Sequence, residues 1–500
     1  MKIERVDKGN YINGHFSKVK DPSGEVYSQN PCNTNDPKVA FAYSYEQIHE
    51  AVLAAKRSFS SWKRLKPADR YTYLSKYKAL LIERKETLAS AIAYETGKPL
   101  WESRMEVEST ARVVEQFMNQ GSQTSLELVI PDTGNGGTGV VRFVSRGTVA
   151  IVSCAHSPLY VSHTHLAPAL INGNSVVFKS SDNTPYVAQL MAELFHDAGI
   201  PAGVLNVVHG EAEAGRRLVS HSDIDAIFFR GTFETACKIK KQVLNDYWKT
   251  FLYETGGKNA TLVWQDANYK QALEQTLYAT FVTSGQRFSS TSRILVHEKF
   301  FDQFLGDFHT LAKKLTVGDA LAPQPSFMGS LVGENAVEDY LRFQGIAVRE
   351  GAEEIMRGKA LERDTKGYFV SPSIHVVHKS DPKSVYQKSE IYGPNVAFYK
   401  VNDLGEAASI INLPDHNFVS SIYSQSKEVL MELLSDIETG LLHWNRPTTS
   451  INYRLPVSGM KMSGNMRPMG SFSGYQCTYT VSCLEGGDEL EEFPSVLPRL

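Results

Sequence analysis

Between residues 147 and 315 the chain twice repeats one pattern, a short β-branched run followed by a stretch of helical length, and few architectures accommodate it. In the first block, residues 149–152, 175–178, 204–208 and 226–229 read as strands. Residues 168–172 (part of a longer helix), 185–198, 212–220 and 234–243 read as the helices between them. A second block follows Glu254, with strands at 261–263 and 294–297 and helices at 269–283 and 299–315. Strands alternating with helices of this length predict βαβ units and parallel, doubly wound sheets, hence an α/β protein. Ahead of these blocks, residues 44–120 are helical by pattern: Ile48, Val52, Ala55 and Phe59 recur at helical spacing, and Pro67 opens a second run. Residues 126–143 predict a hairpin about a glycine-rich turn, and 475–484 a strand to pair with it.

Five hundred residues suggest two or three domains rather than one core. The pattern divides them into a first α/β domain (1–125 and 146–253), a second (254–452), a bridging element (126–145 and 470–486) and an acidic, proline-containing tail (487–500). A formal net charge of -3, with Lys and Arg dispersed, argues against nucleic acid as a partner. No run of about 18 apolar residues is present to span a bilayer. Five cysteines without metal-type spacing predict reduced thiols and a cytoplasmic setting.

The run at 134–139 matches G-x-G-x-x-G, but a dinucleotide turn needs a helix N-terminus after it. Val140-Val141-Arg142-Phe143-Val144 reads instead as a strand, so the motif is expected to be a hairpin turn. Better nucleotide candidates lie at predicted strand ends. Lys179 and Asp182 follow one such end and could hold ribose hydroxyls, or be solvated loop charges. Gly231 and Thr232 lie between a strand and a helix start, where a phosphate is suited. Glu254 fits a general base on water and fits a turn carboxylate equally well. His156 fits an acid/base group, though the local sequence favours a plain loop histidine.

Several ordered segments resemble signatures of the aldehyde dehydrogenase superfamily. They are Glu95-Thr96-Gly97-Lys98-Pro99-Leu100, Phe178-Lys179, Pro201-Ala202-Gly203-Val204-Leu205-Asn206, Glu254-Thr255-Gly256-Gly257-Lys258 and Glu390-Ile391-Tyr392-Gly393-Pro394. Trp444-Asn445-Arg446-Pro447-Thr448, Ser463-Gly464-Asn465-Met466-Arg467-Pro468 and Ser482-Cys483-Leu484-Glu485 are similar to the succinylglutamate semialdehyde dehydrogenase branch. The resemblance implies a Rossmann-type cofactor domain, a second α/β catalytic domain, and a β-hairpin that pairs between subunits of a homodimer or homotetramer. It also implies a small-molecule aldehyde as substrate and NAD or NADP as cofactor. Lys179, Asp182 and Glu390 match positions touching the riboses, and Gly210, Gly231 and Thr232 positions near the pyrophosphate. A carboxylate such as Asp182 beside a ribose 2′-hydroxyl repels a 2′-phosphate, which favours NAD.

The mechanism implied by the resemblance has a cysteine thiolate attack the aldehyde, an amide and a backbone N–H hold the oxyanion, hydride leave to the nicotinamide, and the glutamate activate water. In Thr283-Ser284-Gly285-Gln286-Arg287-Phe288-Ser289-Ser290 the cysteine position is Phe288. The amide position is His156, the aromatic before it is Ala155, the strand-end threonine beside the nicotinamide is Arg230, and the second glycine of that turn is Ala236. Three functions stay open. One is a nucleotide-binding homologue without thiol-dependent oxidation. Another is a dehydrogenase using Ser289, Ser290 or Cys154 as nucleophile. The third is non-covalent hydride transfer with His156 as proton donor and Glu254 as its partner.

Overall fold

The computed structural model describes residues 4–124, 127–131, 133 and 138–485. Two seven-stranded sheets organise the chain. In the first, the order across the sheet is Thr250–Glu254, Ala226–Arg230, Thr148–Val152, Ser175–Lys179, Leu205–Val208, Asn10–Ile12, His15–Ser17. The first five are mutually parallel, as the alternating pattern requires. Their residues are almost all buried, because helices cover both faces and the strands are therefore near-continuously apolar. Strand order reverses where Thr148–Val152 lies between Ala226–Arg230 and Ser175–Lys179, so a crevice opens at the carboxyl ends of the strands there. Val152 pairs with Phe229, which puts the loop carrying His156 beside Arg230 and Gly231.

The second sheet runs Glu353–Met356, Ser373–Val376, Asn395–Val401, Arg293–His297, Ala260–Val263, Val419–Tyr423, Leu441–Trp444, parallel apart from its first strand. Phe288 lies in the connection that enters Arg293–His297.

The helical region resolves into Tyr45–Trp62, Pro67–Glu83, Lys85–Thr96 and Leu100–Thr124, with Pro67 in the first turn of the second. Glu95, part of a family-like motif, has a structural duty. Its carboxylate accepts the Tyr186 and Val187 N–H groups at 2.9 Å each, closing the orphan donors at the start of the helix Pro185–Asp197.

Two expected helices are shorter than the pattern predicts. The helix expected over 269–283 ends at Phe281, because Thr283 and Ser284 enter the left-handed region at φ 59 and 52. That conformation is costly for such residues and is held by Glu102, which accepts the Thr283 N–H at 3.2 Å and its hydroxyl. The helix expected over 299–315 spans Phe301–Ala312. At its start the Lys299 N–H turns back to His297 Nδ1 at 3.3 Å.

The expected hairpin consists of Leu128–Ile130 and Thr138–Ser145, and Thr478–Glu485 completes a three-stranded antiparallel sheet. A strand, not a helix, follows the glycine-rich motif, as its sequence context suggested. Residues 134–137 of that motif and the tail at 487–500 lie outside the described residues.

Candidate functional site

The two glycines after Glu254 let three segments converge. A Cβ on Gly256 would fall 1.5 Å from Glu390 Oε2, and one on Gly257 would lie 2.8 Å from the Phe288 carbonyl. Asn259, buried just beyond, donates to the Phe288 and Ser290 carbonyls at 2.8 and 2.9 Å. Its Oδ1 accepts the Val419 N–H at 3.1 Å. The backbone at residue 288 is thereby pinned to the second sheet.

The Phe288 ring is buried, with 7% exposure. It meets the His156 ring edge-on at 5.4 Å and the Phe418 ring at 4.9 Å. The guanidinium carbon of Arg230 sits 4.8 Å from its centroid, a cation–π contact. The benzyl group is therefore a packed core element, anchored on three sides.

Glu254 and Arg230 end adjacent parallel strands in register. Arg230 Nη2 contacts Glu254 Oε2 in an ion pair with both side chains buried, and donates to the Tyr453 hydroxyl at 2.9 Å. His165 Nε2 lies 3.8 Å from the same carboxylate oxygen.

A cavity of about 320 Å³ opens on the other side of Phe288, lined among others by Lys98, His156, Tyr160, Arg287 and Ser289. Lys98 Nζ donates to the His156 carbonyl at 2.6 Å and pairs with Glu106. Arg287 donates to Glu102 Oε1 at 2.9 Å. Burial raises the Glu102 carboxyl, but the Arg287 and Lys98 charges and the Thr283 hydroxyl outweigh it and hold it below its ordinary value.

Burial, reinforced by Lys98, Arg230 and Arg287, pushes His156 down to about 3, so its imidazole is neutral at pH 7. Burial likewise lowers His163 to about 4 and His209 to about 3. These depressed values make stability depend on pH. Their contribution is complete above the ordinary histidine value of 6.5 and is lost as pH falls toward 3–4. Each forfeits about 1.4 kcal/mol per pH unit in that window. The urea midpoint is expected to fall from pH 7 to pH 5, the Glu95 and Glu390 carboxyls, raised by burial to about 7 and about 8, offsetting part of the loss; a midpoint that rises would contradict the neutral assignments.

On the nucleotide side, Lys179 ends its strand, buried, with Nζ 3.1 Å from Oδ1 of the exposed Asp182. Gly210 adopts φ +142, and a side chain there would run into Ala214 Cβ at 2.4 Å. Gly231 connects Arg230 to Thr232, whose hydroxyl caps the helix Phe233–Gln242 by accepting the Thr235 N–H at 3.3 Å. Glu390 accepts the Gly257 N–H at 3.0 Å, and burial raises its carboxyl to about 8. Glu254, Phe288 and the half-buried His156 are thus linked in one cluster, with Arg230 between Glu254 and the Phe288 ring. Lys179, Asp182, Gly210, Gly231 and Thr232 stand along the carboxyl edge of the first sheet.

The alternative nucleophiles find little support. Burial raises the Cys154 thiol to about 11, which disfavours a thiolate. Ser289 and Ser290 are buried, and the Ser290 hydroxyl accepts the Arg287 N–H at 3.3 Å. In its neutral state His156 carries no imidazolium proton to give, but keeps one ring N–H for a hydrogen bond. Arg230 as the partner of Glu254, with His165 and Tyr453 beside it, is not legible in the sequence. One signal was present: Ala226-Ile227-Phe228-Phe229-Arg230 and Thr250-Phe251-Leu252-Tyr253-Glu254 are neighbouring strands ending in opposite charges.

Comparison with known proteins agrees with this architecture. Residues 19–482 match the family model described as the aldehyde dehydrogenase family. The chain is 32% identical over 497 residues to N-succinylglutamate 5-semialdehyde dehydrogenase of Paraburkholderia xenovorans (98% of this chain, 99% of that protein). It is 33% identical over 470 residues to the enzyme of the same name from Burkholderia mallei (93% and 95%). Among solved structures, an E. coli NADP-dependent enzyme superposes with TM-score 0.90 at 26% identity, covering 96% of this chain and 98% of that one. With its sheets, its site segments and nearly its whole length accounted for, this chain belongs to the aldehyde dehydrogenase family.

Proposed function

We propose that the chain is a nucleotide-binding member of this family that does not oxidise aldehydes through a thiol, a non-catalytic or repurposed relative of N-succinylglutamate 5-semialdehyde dehydrogenase. The observation that carries this reading is the buried Phe288 ring, with Arg230 on its face and paired to Glu254, at the position that the family resemblance assigns to the nucleophile. A phenyl ring forms no thiohemiacetal, and losing the nucleophile of a covalent mechanism costs on the order of 10⁶ in rate. His156 stands where the resemblance implies an amide oxyanion donor, and its neutral imidazole has one N–H to offer there.

The nucleotide side keeps the residues that the family resemblance assigns to it. Lys179 and Asp182 suit the ribose hydroxyls of an adenosine, and Asp182 favours a ligand without a 2′-phosphate. Gly231 and the helix capped by Thr232 suit a pyrophosphate. Leu128, Val129 and Ile130 are an exposed apolar edge strand, which supports pairing with another copy in a homodimer or homotetramer. Among the described residues no helix is long and apolar enough to cross a membrane. A cytoplasmic location agrees with five free cysteines.

Calorimetric titration with ADP is expected to give micromolar binding, roughly -8 kcal/mol, weakened at least tenfold by Lys179→Ala. Steady-state NADH formation from succinylglutamate semialdehyde or a simple aldehyde, at roughly one turnover per second, would reject the proposal.

A further inference from the structure

We infer that the cleft takes the adenosine diphosphate half of a dinucleotide and excludes its nicotinamide end, so that this chain's ligands are ADP and ADP-ribose rather than NAD or NADP. The inference rests on the nucleotide-binding reading above and narrows it.

The argument is one of occupied space. In the chemistry the family resemblance implies, the residue-288 position and the residue-254 carboxylate must both reach a single carbonyl carbon. The ring that accepts hydride must come within about 3–3.5 Å of that carbon. Its room therefore lies between residues 288 and 254, outside the ends of the Ala226–Arg230 and Thr250–Glu254 strands. That room is filled. Arg230 is 3% exposed, its Nη2 contacts Glu254 and lies 2.9 Å from the Tyr453 hydroxyl, and its guanidinium carbon is 4.8 Å from the Phe288 centroid.

Moving Arg230 aside would leave Glu254 a buried carboxylate without its cation. The His165 imidazole at 3.8 Å is a poor substitute, because burial, the larger of the two causes that hold it well below its ordinary value, remains when Arg230 leaves. Charge opposes the oxidised cofactor as well, since the nicotinamide ring of NAD is itself a cation and would meet the guanidinium. The reduced ring escapes that repulsion but not the lack of room. The residues present do not fit a nicotinamide.

They do fit a shorter ligand. Arg230 Nε and Nη1 are buried without a hydrogen-bond partner. Gly231 and the Thr232-capped helix start follow Arg230 directly in the chain. The diphosphate of ADP or ADP-ribose would meet the backbone N–H groups at that helix start and end short of the ion pair.

The test is a calorimetric series on the full chain with ADP, ADP-ribose, NAD and NADH. The expected result is that ADP and ADP-ribose bind and that neither NAD nor NADH binds more tightly than ADP. Arg230→Thr combined with Glu254→Gln removes both charges together, and this variant is expected to tighten NAD relative to ADP at least tenfold. NAD binding the wild-type chain tenfold or more tightly than ADP would overturn the inference and leave the nucleotide-binding reading intact. A folded double variant with an unchanged NAD-to-ADP ratio would overturn it too. Should the double variant not fold, the wild-type series decides alone. Binding of none of the four would sink both the inference and the reading it narrows.

Discussion

Phe288→Cys alone is expected to leave aldehyde oxidation at the wild-type level, and Phe288→Cys combined with Arg230→Thr to exceed either single variant by about 10³-fold or more. Restoring the thiol supplies the group whose absence costs on the order of 10⁶. Two obstacles then remain. Arg230 keeps its guanidinium against Glu254 and across the face of residue 288, so a thiohemiacetal would have neither a free base nor space for the hydride acceptor. Threonine, which the family resemblance places at this strand end, removes both obstacles. The recovered rate is expected to fall up to about 10²–10³ short of that of an intact enzyme, the full deficit arising where the His156 N–H does not reach the oxyanion. Steady-state NADH formation checks all three variants. High activity of Phe288→Cys by itself would show that Arg230 does not block the site.

Glu254→Ala is expected to destabilise the protein by about 3–5 kcal/mol, read as a shift in its denaturant midpoint and melting temperature. A carboxylate kept ready for water can be removed at little cost to the fold. Here removal strands Arg230, 3% exposed, beside the neutral His165 and with two of its N–H-bearing nitrogens already unpartnered. Arg230→Ala is expected to cost a similar amount by stranding Glu254. Replacing both at once, Arg230→Met with Glu254→Leu, is expected to cost far less than the sum of the single variants, because apolar groups of similar volume leave no buried charge uncompensated. Additive losses would show that the two side chains do not depend on each other.

Much of the fold was legible because alternation is a local property. A run such as Val176-Val177-Phe178 reads as a buried strand whatever lies around it, and Pro67 opens a helix by its own covalent geometry. The shortened helix at Phe281 was not legible, since its end depends on Glu102, about 180 residues earlier in the chain, drawing Thr283 into a left-handed turn. The context of the glycine-rich motif is legible for the same local reason: Thr138–Ser145, which continues from it, is a strand.

For the site, motif and order along the sequence carried the family resemblance that assigns residues to the nucleophile, oxyanion and base positions. Sequence alone also determined that a benzyl side chain cannot act as a nucleophile. What only the tertiary structure decided is the state of those groups: that Phe288 is packed between His156 and Phe418, that His156 is neutral, and that Glu254 is bound to Arg230. Those are matters of distance and burial between segments far apart in sequence. An ion pair or a shifted proton affinity arises only when strand register and surrounding helices bring the charges together and take the water away.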